Sequence, residues 1–381
     1  MADDSGASAY LVGGPVRDNL LGLPVNDLDV SIVGDAPALA TRLAESVEGR
    51  LTVHQRFGTA TVVAGGVTVD LVTARAETYR NPGALPDVRP GDIIDDLARR
   101  DFTVNAMAIP LAGHNSRLVD PHGGQDDLQA GVIRTLHAGS FRDDPTRILR
   151  AIRYAARLDF QLSDETQAEL REALDARALS TISGDRIRHE LDRIFDEAEP
   201  LAALRHAEDL GALSTIHPAL SVRHISNAPP LATPDPLVWV SALVWPLTAS
   251  GATAFAARIN APADWSRAIA DTTRLVSRMP QLDEPHLPPS RVCALLDGLA
   301  PGALAAAGML GSRAAGEYIQ RYLDAWWSVA PILRGTDLLE LGVPAGPAVG
   351  ELLRALRQAR LDGITHTRQD EEDLVKNWST T

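Results

Sequence analysis

The sequence predicts an α+β fold, in which a mixed α/β part comes first and a mostly helical part follows. Short apolar runs separated by glycine turns fill residues 9–109, whereas helical periodicity takes over from about residue 141. With 381 residues, of which 45% are hydrophobic, the chain is long enough to form several compact units with buried cores. We therefore expect a sheet-containing head followed by helical domains.

The first elements alternate between strand and helix. Apolar runs at 10–12 and 30–33 predict two strands, because each is short and bounded by turn residues. Asp35, followed by Pro37, predicts the capped start of an amphipathic helix whose apolar residues recur at helical spacing.

A hairpin and a loop follow. Segments 59–63 and 67–72 flank two adjacent glycines and predict a β-hairpin, which puts Asp70 on its second strand. Residues 75–90 contain three prolines and predict a loop that lies outside the core. Such a loop could cover a neighbouring site as a lid.

The helical periodicity of the remaining two-thirds of the chain predicts a mostly helical structure. Ser140 is expected to cap the first of these helices, and proline-rich breaks at 227–236 and 279–289 are expected to separate helical blocks.

Composition excludes several functional classes. The net charge of −14 argues against a protein that coats nucleic acid non-specifically, although it allows a local basic groove. The single cysteine, Cys293, excludes a disulfide framework and a thiolate metal site. The absence of a membrane-length apolar run and of a signal-peptide pattern leads us to expect a cytoplasmic protein that does not bind membranes. Lys376 is the only lysine, so nearly every positive charge belongs to an arginine. Arginine suits contacts to phosphate, but a GC-rich coding bias explains the same use of arginine in place of lysine.

One N-terminal stretch combines a glycine turn with paired carboxylates. Gly13 and Gly14 follow an apolar run and allow backbone N–H groups to approach phosphate oxygens, while Arg17 adds a cationic fork for a triphosphate. Asp27 and Asp29 lie two residues apart, so a strand places both on one face as oxygen ligands for magnesium. An Asp-x-Asp pair alone is weak evidence, because acidic residues are common in surface loops.

Asp70 strengthens this interpretation. If its hairpin lies beside the strand of Asp27 and Asp29, a third carboxylate faces the pair. Two bound metals could then activate an attacking hydroxyl and stabilise a leaving pyrophosphate.

A second cluster spans residues 96–106. Its plainest interpretation is an exposed helix end capped by Asp101. The alternative is that Arg100 contacts a nucleotide phosphate or ribose, with Asp101 and Asn105 holding its geometry.

The third cluster contains four arginines at three- and four-residue spacing, which form one cationic stripe on a helix: Arg147, Arg150, Arg153 and Arg157. Asp144 and Arg147 could present one acceptor and one donor fork side by side. Cytosine and adenine both show an exocyclic amine beside an unprotonated ring nitrogen, so this pair suits either base and rejects uracil and guanine. An amphipathic helix with solvated arginines has the same spacing.

Three ordered motifs resemble those of the bacterial and eukaryotic-type family of tRNA nucleotidyltransferases and poly(A) polymerases. They are LVGGPVRDNLLG followed by NDLDVSIVGD, then ARRDFTVNAMAI, then FRDDPTRILRAIRYAARLDF. The similarity covers the first half of the chain strongly, and several ordered motifs make chance similarity implausible.

The resemblance implies a polymerase-β-like nucleotidyltransferase palm followed by all-α neck, body and tail domains. We expect a head at 1–137, a base-recognising neck at 138–200 and a tRNA-binding body and tail at 201–381.

The resemblance also implies the reaction, namely addition of CCA, or part of it, to tRNA 3′ ends from CTP and ATP with Mg²⁺. The implied catalytic residues are Asp27, Asp29 and Asp70, with Asp27 and Asp29 as the metal ligands. The implied nucleotide-binding residues are Gly13, Gly14, Arg17, Arg100, Asp144, Arg147, Arg150 and Arg153. Asp143 replaces the Glu that usually precedes the second acid of the base-recognising motif.

Three questions stay open from the sequence. The segment at 75–95 resembles a flexible loop of the family and favours terminal A addition, because relatives that add only CC lack this loop. A poly(A) polymerase shares the same motifs and differs in its primer and in when extension stops. An inactive RNA-binding homologue is a further alternative, although every candidate carboxylate is present.

Overall fold

The computed structural model describes residues 7–25, 27–55, 58–111, 117–225 and 235–378. The chain forms two compact units, Met1–Ile216 and His217–Thr381. The predicted boundary after residue 137 and the one after residue 200 both lie inside the first unit and stay predictions.

The first half of the first unit is a mixed sheet with helices. Its elements are β1 (Ser8–Val12), α1 (Gly14–Leu20), β2 (Asp27–Val33), α2 (Ala36–Ser46), β3 (Arg50–His54), β4 (Thr59–Ala64), β5 (Val67–Thr73), β6 (Arg75–Thr78), β7 (Asp87–Pro90), α3 (Ile93–Ala98), β8 (Ala108–Pro110), α4 (Gly124–Ala130) and β9 (Val132–Ile133).

Six of these strands form one sheet in the order β3-β4-β5-β2-β1-β8. The β2 and β5 strands run parallel, whereas the other neighbours are antiparallel. Ile32, Val62 and Leu71 from the sheet pack with Ala40 of α2 in a buried cluster. Asp35 accepts a hydrogen bond from the backbone N–H of Ala38 at 3.0 Å, so the predicted cap of this helix is confirmed.

The predicted hairpin is also confirmed as β4 and β5, whereas the predicted loop at 75–90 is wrong at both of its ends. There β6 and β7 pair as an antiparallel ribbon, with Arg75 opposite Pro90. Proline is tolerated here because it is the last residue of a two-stranded ribbon, where a missing N–H breaks no central ladder. The other two prolines lie in the turn between the strands.

Helices dominate the second half of the first unit. They are α5 (Ser140–Asp143), α6 (Thr146–Leu158), α7 (Asp164–Asp175), α8 (Gly184–Phe195), α9 (Pro200–Asp209) and α10 (Ala212–Ile216), with one further strand, β10 (Gln161–Leu162). Ser140 is the first residue of α5 and not its cap, because Gly139 precedes it with a φ of 85°. The predicted α+β class with a helical continuation is confirmed.

The second unit is helical throughout its described part. Its helices are α11 (Pro236–Val244), α12 (Ala249–Arg258), α13 (Ala263–Leu282), α14 (Pro289–Leu296), α15 (Pro301–Leu310), α16 (Arg313–Arg321), α17 (Gly335–Glu340), α18 (Pro347–Leu361) and α19 (Arg368–Trp378).

Two predicted breaks fall in this unit. The break at 227–236 lies almost wholly outside the described residues. The second begins later than predicted, because α13 continues through Pro280 to Leu282.

No single helix in the described ranges is long and apolar enough to span a bilayer, and only α14 and α15 taken together, bent by 119°, meet the length and composition criteria.

Candidate active site

A cavity of about 400 Å³ opens in the first unit where the sheet meets the helices that follow it. Its walls come from the start of α1, from β2, from β6 and the turn that follows it, from the segment after α3 and from α6 with the residue before it. The predicted site residues that line it are Gly13, Gly14, Asp29, Arg100, Asp144, Arg147 and Arg150. Groups far apart in the sequence are thus brought to one space.

Gly13 holds a backbone conformation that favours glycine. Its φ is 72°, and it lies between the end of β1 and the start of α1. A Cβ built on Gly13 would lie 2.6 Å from Nη1 of Arg100. The missing side chain therefore leaves the space that the Arg100 guanidinium occupies beside the turn.

The three predicted carboxylates lie on one face of the sheet. Asp29 on β2 is the register partner of Asp70 on β5, and Asp27 precedes Asp29 by two residues. The concave surroundings remove solvent from the Asp29 carboxyl and raise its pKa, an effect that Arg100 opposes and that Asp70 and Asp27 reinforce. The Thr61 hydroxyl donates to Asp70 Oδ1 at 2.5 Å. Only Asp29 of the three lines the cavity.

These residues fit a divalent cation by donor chemistry and position. All three are hard oxygen donors, and the negative charges of Asp70 and Asp27 add to the burial that raises the pKa of Asp29. Across the described residues no group of three or more His, Cys, Asp or Glu side chains is arranged to hold a metal. Magnesium does not require such a cage, because it commonly binds one or two carboxylates together with substrate phosphates.

Arg100 is positioned by a buried carboxylate. Its Nη2 donates to Asp96 Oδ2 at 3.1 Å, and Asp96 also accepts from Arg99 at 2.7 Å. Burial alone would raise the pKa of Asp96, but Arg100 and Arg99 outweigh it and hold that pKa below its usual range. Arg100 is thus held toward the cavity and toward Asp29.

Arg17 does not reach the cavity wall. Its side chain is 3% exposed and is paired with Asp18 at 2.7 Å, while its Nη1 donates to Asn105 Oδ1 at 2.7 Å. Its guanidinium carbon lies 5.1 Å from the ring centre of Tyr154. The structure therefore places Arg17 outside the cavity lining, and its predicted triphosphate contact stays a prediction.

Asp144 lies in the short break between α5 and α6. Pro145 follows it, and a residue before proline is driven out of the helical region; Asp144 accordingly has a φ of −132° and a ψ of 96°. Its Oδ1 accepts from the backbone N–H and the hydroxyl of Thr146 at 3.0 and 2.6 Å. Pro145 and the hydrogen bonds from Thr146 together orient the Asp144 carboxyl toward the cavity.

Arg147 occupies the first turn of α6. Although it is 5% exposed, it lines the cavity. Its Nη1 donates to the Ser140 hydroxyl at 2.6 Å and its Nη2 to the Arg99 carbonyl at 2.7 Å. These two bonds fix the plane of the guanidinium beside Asp144.

The other two predicted arginines of α6 differ in position. Arg150 lines the cavity and donates through Nε to Asp101 Oδ2 at 2.8 Å. Arg153 is buried outside the cavity lining and pairs with Glu197 at 3.1 Å and Glu190 at 3.6 Å. The solvated-arginine alternative is therefore wrong for Arg147 and Arg153, which face protein partners.

Sequence reasoning gave no role at this site to Tyr154 or to Asp96. Tyr154 lines the cavity and lies under three guanidinium groups, those of Arg17, Arg150 and Arg153, at 5.1, 5.5 and 4.6 Å. Asp96 supports Arg100 from full burial. The sequence held a signal for both residues, namely helical spacing. Tyr154 follows Arg150 by four residues, and Asp96 precedes Arg99 and Arg100 by three and four, so each pair can meet on one face of a helix.

Two family models match the chain. One is described as the poly(A) polymerase head domain and covers residues 9–134. The other is described as the probable RNA- and SrmB-binding site of polymerase A and covers residues 159–223.

Curated relatives match nearly the whole chain. An A-adding tRNA nucleotidyltransferase of Halalkalibacterium halodurans is 35% identical over 95% of this chain and 86% of its own length. A CC-adding tRNA nucleotidyltransferase of Deinococcus radiodurans is 33% identical over 96% of this chain and 88% of its own length. A longer A-adding enzyme of Geobacter sulfurreducens is 32% identical over 97% of this chain, which spans only 45% of that protein.

The solved structures show the same fold. A CCA-adding enzyme in its apo form II superposes with a TM-score of 0.83 at 29% identity, over 99% of this chain and 93% of the other.

Proposed function

The chain belongs to the family of tRNA nucleotidyltransferases and poly(A) polymerases, and from that membership we propose that it adds nucleotides from CTP and ATP to the 3′ end of tRNA in the cavity of the first unit. One observation carries the proposal. The cavity joins a carboxylate and an arginine suited to a triphosphate, Asp29 and Arg100, with an acid and an arginine suited to a base, Asp144 and Arg147.

The chemical step is a displacement at the α-phosphate. The 3′-hydroxyl oxygen of the tRNA forms a bond to the α-phosphorus, the bond from that phosphorus to the bridging oxygen breaks, and pyrophosphate leaves with the electron pair. The hydroxyl proton passes to the carboxylate face formed by Asp27, Asp29 and Asp70. Arg100 neutralises charge on the triphosphate, and the turn at Gly13 and Gly14 lets the backbone approach the phosphates.

Polymerase-β-like nucleotidyltransferases use divalent metal ions, and we propose Mg²⁺ for this chain, held by Asp27 and Asp29 with Asp70 beside them. When bound, the ion polarises the phosphate and lowers the pKa of the attacking hydroxyl. An all-oxygen donor set next to a triphosphate is the environment that this cation prefers.

Base selection falls to Asp144 and Arg147. A carboxylate oxygen accepts from the exocyclic amine of cytosine or adenine, and a guanidinium donates to the neighbouring ring nitrogen. Uracil and guanine present a carbonyl and a protonated nitrogen there, which leaves the protein groups unpaired. Arg150 borders the same space, whereas nucleotide contacts by Arg17 and Arg153 require these side chains to leave the pairs that they form here.

We propose that terminal A addition is within reach of this chain. The ribbon of β6 and β7 and its turn are present, and Arg75, Glu77, Tyr79 and Pro86 of this segment line the cavity. A tRNA substrate also makes the cytoplasm the proposed location.

The test is extension of three tRNA transcripts that end before CCA, after the first C and after CC, with CTP and ATP supplied singly and together, with and without Mg²⁺. Growth of the transcript ending in CC upon addition of ATP supports the proposal, and completion of all three makes the chain a full CCA-adding enzyme. Extension that stops at CC contradicts the assignment of A addition. Long adenosine tails on unstructured RNA indicate a poly(A) polymerase, and tRNA binding without incorporation indicates an inactive homologue.

A further inference from the structure

The hydrogen bonds of Asp144 are unevenly shared between its two oxygens. Oδ1 accepts from the backbone N–H of Thr146 at 3.0 Å, from the Thr146 hydroxyl at 2.6 Å and from Arg186 Nη2 at 2.6 Å. Oδ2 has no hydrogen bond to any residue within the described ranges. The carboxylate therefore offers one saturated oxygen and one that can accept a further N–H.

Arg186, near the start of α8, reaches two targets with two nitrogens. Nη2 binds Asp144, and Nη1 donates to the carbonyl oxygen of Gly83 at 3.2 Å. Gly83 lies in the turn between β6 and β7, and its own N–H donates to the Arg142 carbonyl at 3.2 Å. A single guanidinium thus connects the turn to the acid of the base-selecting pair.

The turn is packed closely where Arg186 holds it. Gly83 has a φ of 72°, and a Cβ there would lie 2.3 Å from the Thr181 hydroxyl oxygen. The turn therefore has no room for a side chain at Gly83 and packs directly against Thr181.

We propose that Arg186 is a positioning residue for nucleotide selection, which fixes Asp144 so that Oδ2 alone accepts the exocyclic amine of the incoming base. It does not line the cavity, so it acts through Asp144 and not by contact with the nucleotide. It also makes the orientation of Asp144 depend on the β6–β7 turn. This inference rests on the proposed function, because it concerns how the same cavity distinguishes bases.

The arginine side chain suits this position because its fork presents two nitrogens at fixed geometry. Without it, Asp144 retains the two Thr146 bonds to Oδ1 but loses the charged partner, and its carboxylate can rotate. A rotated carboxylate accepts from a wider range of bases, so selectivity falls before turnover does.

The experiment compares Arg186→Ala and Arg186→Lys with the wild type in single-nucleotide addition to tRNA. The measured quantities are kcat and KM for the correct nucleotide and the ratio of its kcat/KM to that of UTP and GTP. Arg188→Ala is the matched control, because Arg188 lies on the same helix and pairs with Asp185 at 3.1 Å, outside the cavity lining.

We expect the ratio to fall by roughly tenfold in Arg186→Ala, with a raised KM and a smaller change in kcat. Arg186→Lys should recover part of the ratio, because one ammonium can still bind Asp144. Arg188→Ala should keep the wild-type ratio. An equal loss in Arg188→Ala would mean that any disturbance of α8 suffices and would overturn the inference.

Wild-type selectivity in folded Arg186→Ala, or in Arg186→Gln if the alanine variant does not fold, also overturns it. A wild-type chain that adds no nucleotide overturns the proposed function and this inference together. If the wild type and the Arg186→Ala variant add nucleotides with the same kcat/KM ratio, the inference is overturned and the proposed function stands.

Discussion

Asp29 and Asp70 are register partners on the parallel strands β2 and β5, although a helix and two strands separate them along the chain. Partner residues on adjacent strands share a face, so the two carboxylates border the same space. Their repulsion contributes to the raised pKa of Asp29, after the larger effect of solvent removal. The sheet topology thus assembles the acidic side of the proposed site.

Replacing Gly13 with alanine should impair nucleotide binding as well as stability. The φ of 72° and ψ of −134° of Gly13 lie in a region nearly restricted to glycine, which costs another residue about 1–3 kcal/mol. The new Cβ would also press on Arg100 from 2.6 Å. We expect a lower Tm and a raised KM for the nucleoside triphosphate, measured by thermal unfolding and by steady-state addition.

Gly123 provides the matched control for this substitution. Its φ is 71°, close to that of Gly13, and no atom lies within 4 Å of its ideal Cβ. The ψ of Gly123 is 30°, in the left-handed helical region, whereas the ψ of Gly13 is −134°. Gly123→Ala should therefore lower Tm by less than Gly13→Ala and leave KM unchanged. A Gly13→Ala variant with the wild-type KM would refute the role given to the turn.

Replacing Arg147 with alanine should weaken the rejection of UTP and GTP. A two-point contact to a base edge contributes about 1–3 kcal/mol of discrimination, so we expect a loss of roughly 10- to 100-fold. The measurement is the ratio of kcat/KM values for correct and incorrect nucleotides.

Ser140→Ala serves as a graded comparison for Arg147, because it removes only the acceptor of the 2.6 Å bond from Arg147 Nη1. Its effect on the ratio should be smaller and of the same sign. Unchanged discrimination in folded Arg147→Ala would remove Arg147 from the base-selecting pair.

The ion pair of Asp101 and Arg150 should make stability depend on pH in acid. Burial alone would raise the pKa of Asp101, but Arg150 and a hydrogen bond from Asn105 outweigh it and lower that pKa from 3.8 to about 2. A carboxyl with a lowered folded-state pKa stabilises the fold above its unfolded-state pKa, and this contribution is lost as pH falls through the folded-state value. The Asp101 carboxyl therefore contributes about 2 kcal/mol to the free energy of unfolding at neutral pH, and this contribution is lost as the pH falls from about 4 to about 2.

Denaturant unfolding of the wild type and Asp101→Asn across this window tests the assignment. The wild type should be the more stable at pH 5, and the difference should shrink toward pH 2. Arg150→Met lacks the partner and should show a weaker dependence in the same range. A difference between wild type and Asp101→Asn that is constant with pH would contradict the lowered pKa.

The sequence predicted the α+β class, the hairpin of Asp70 and the capped start of α2, because period, glycine turns and Asx caps are local signals. It did not predict the ribbon of β6 and β7, since three prolines indicate a loop. The cost of a proline in a strand depends on whether the missing N–H would have faced a neighbouring strand.

The environment of the arginines was less predictable than their positions. Helical spacing placed Arg150 and Arg153 on one helix, but their acidic partners, Asp101, Glu190 and Glu197, come from other segments and depend on tertiary packing. For the same reason the sequence could not show that Arg17 pairs with Asp18 and Asn105 outside the cavity lining.

Addition of a single nucleotide to tRNA by Asp29→Ala is the most direct measurement of the proposed site, with Asp175→Ala, at an exposed position on α7, as the control. We predict a loss of kcat of at least roughly 10³-fold in Asp29→Ala, with tRNA binding and Tm retained, because the carboxylate acts on the reacting atoms. The control should match the wild type. A folded Asp29→Ala variant that adds nucleotides at the wild-type rate would contradict the account.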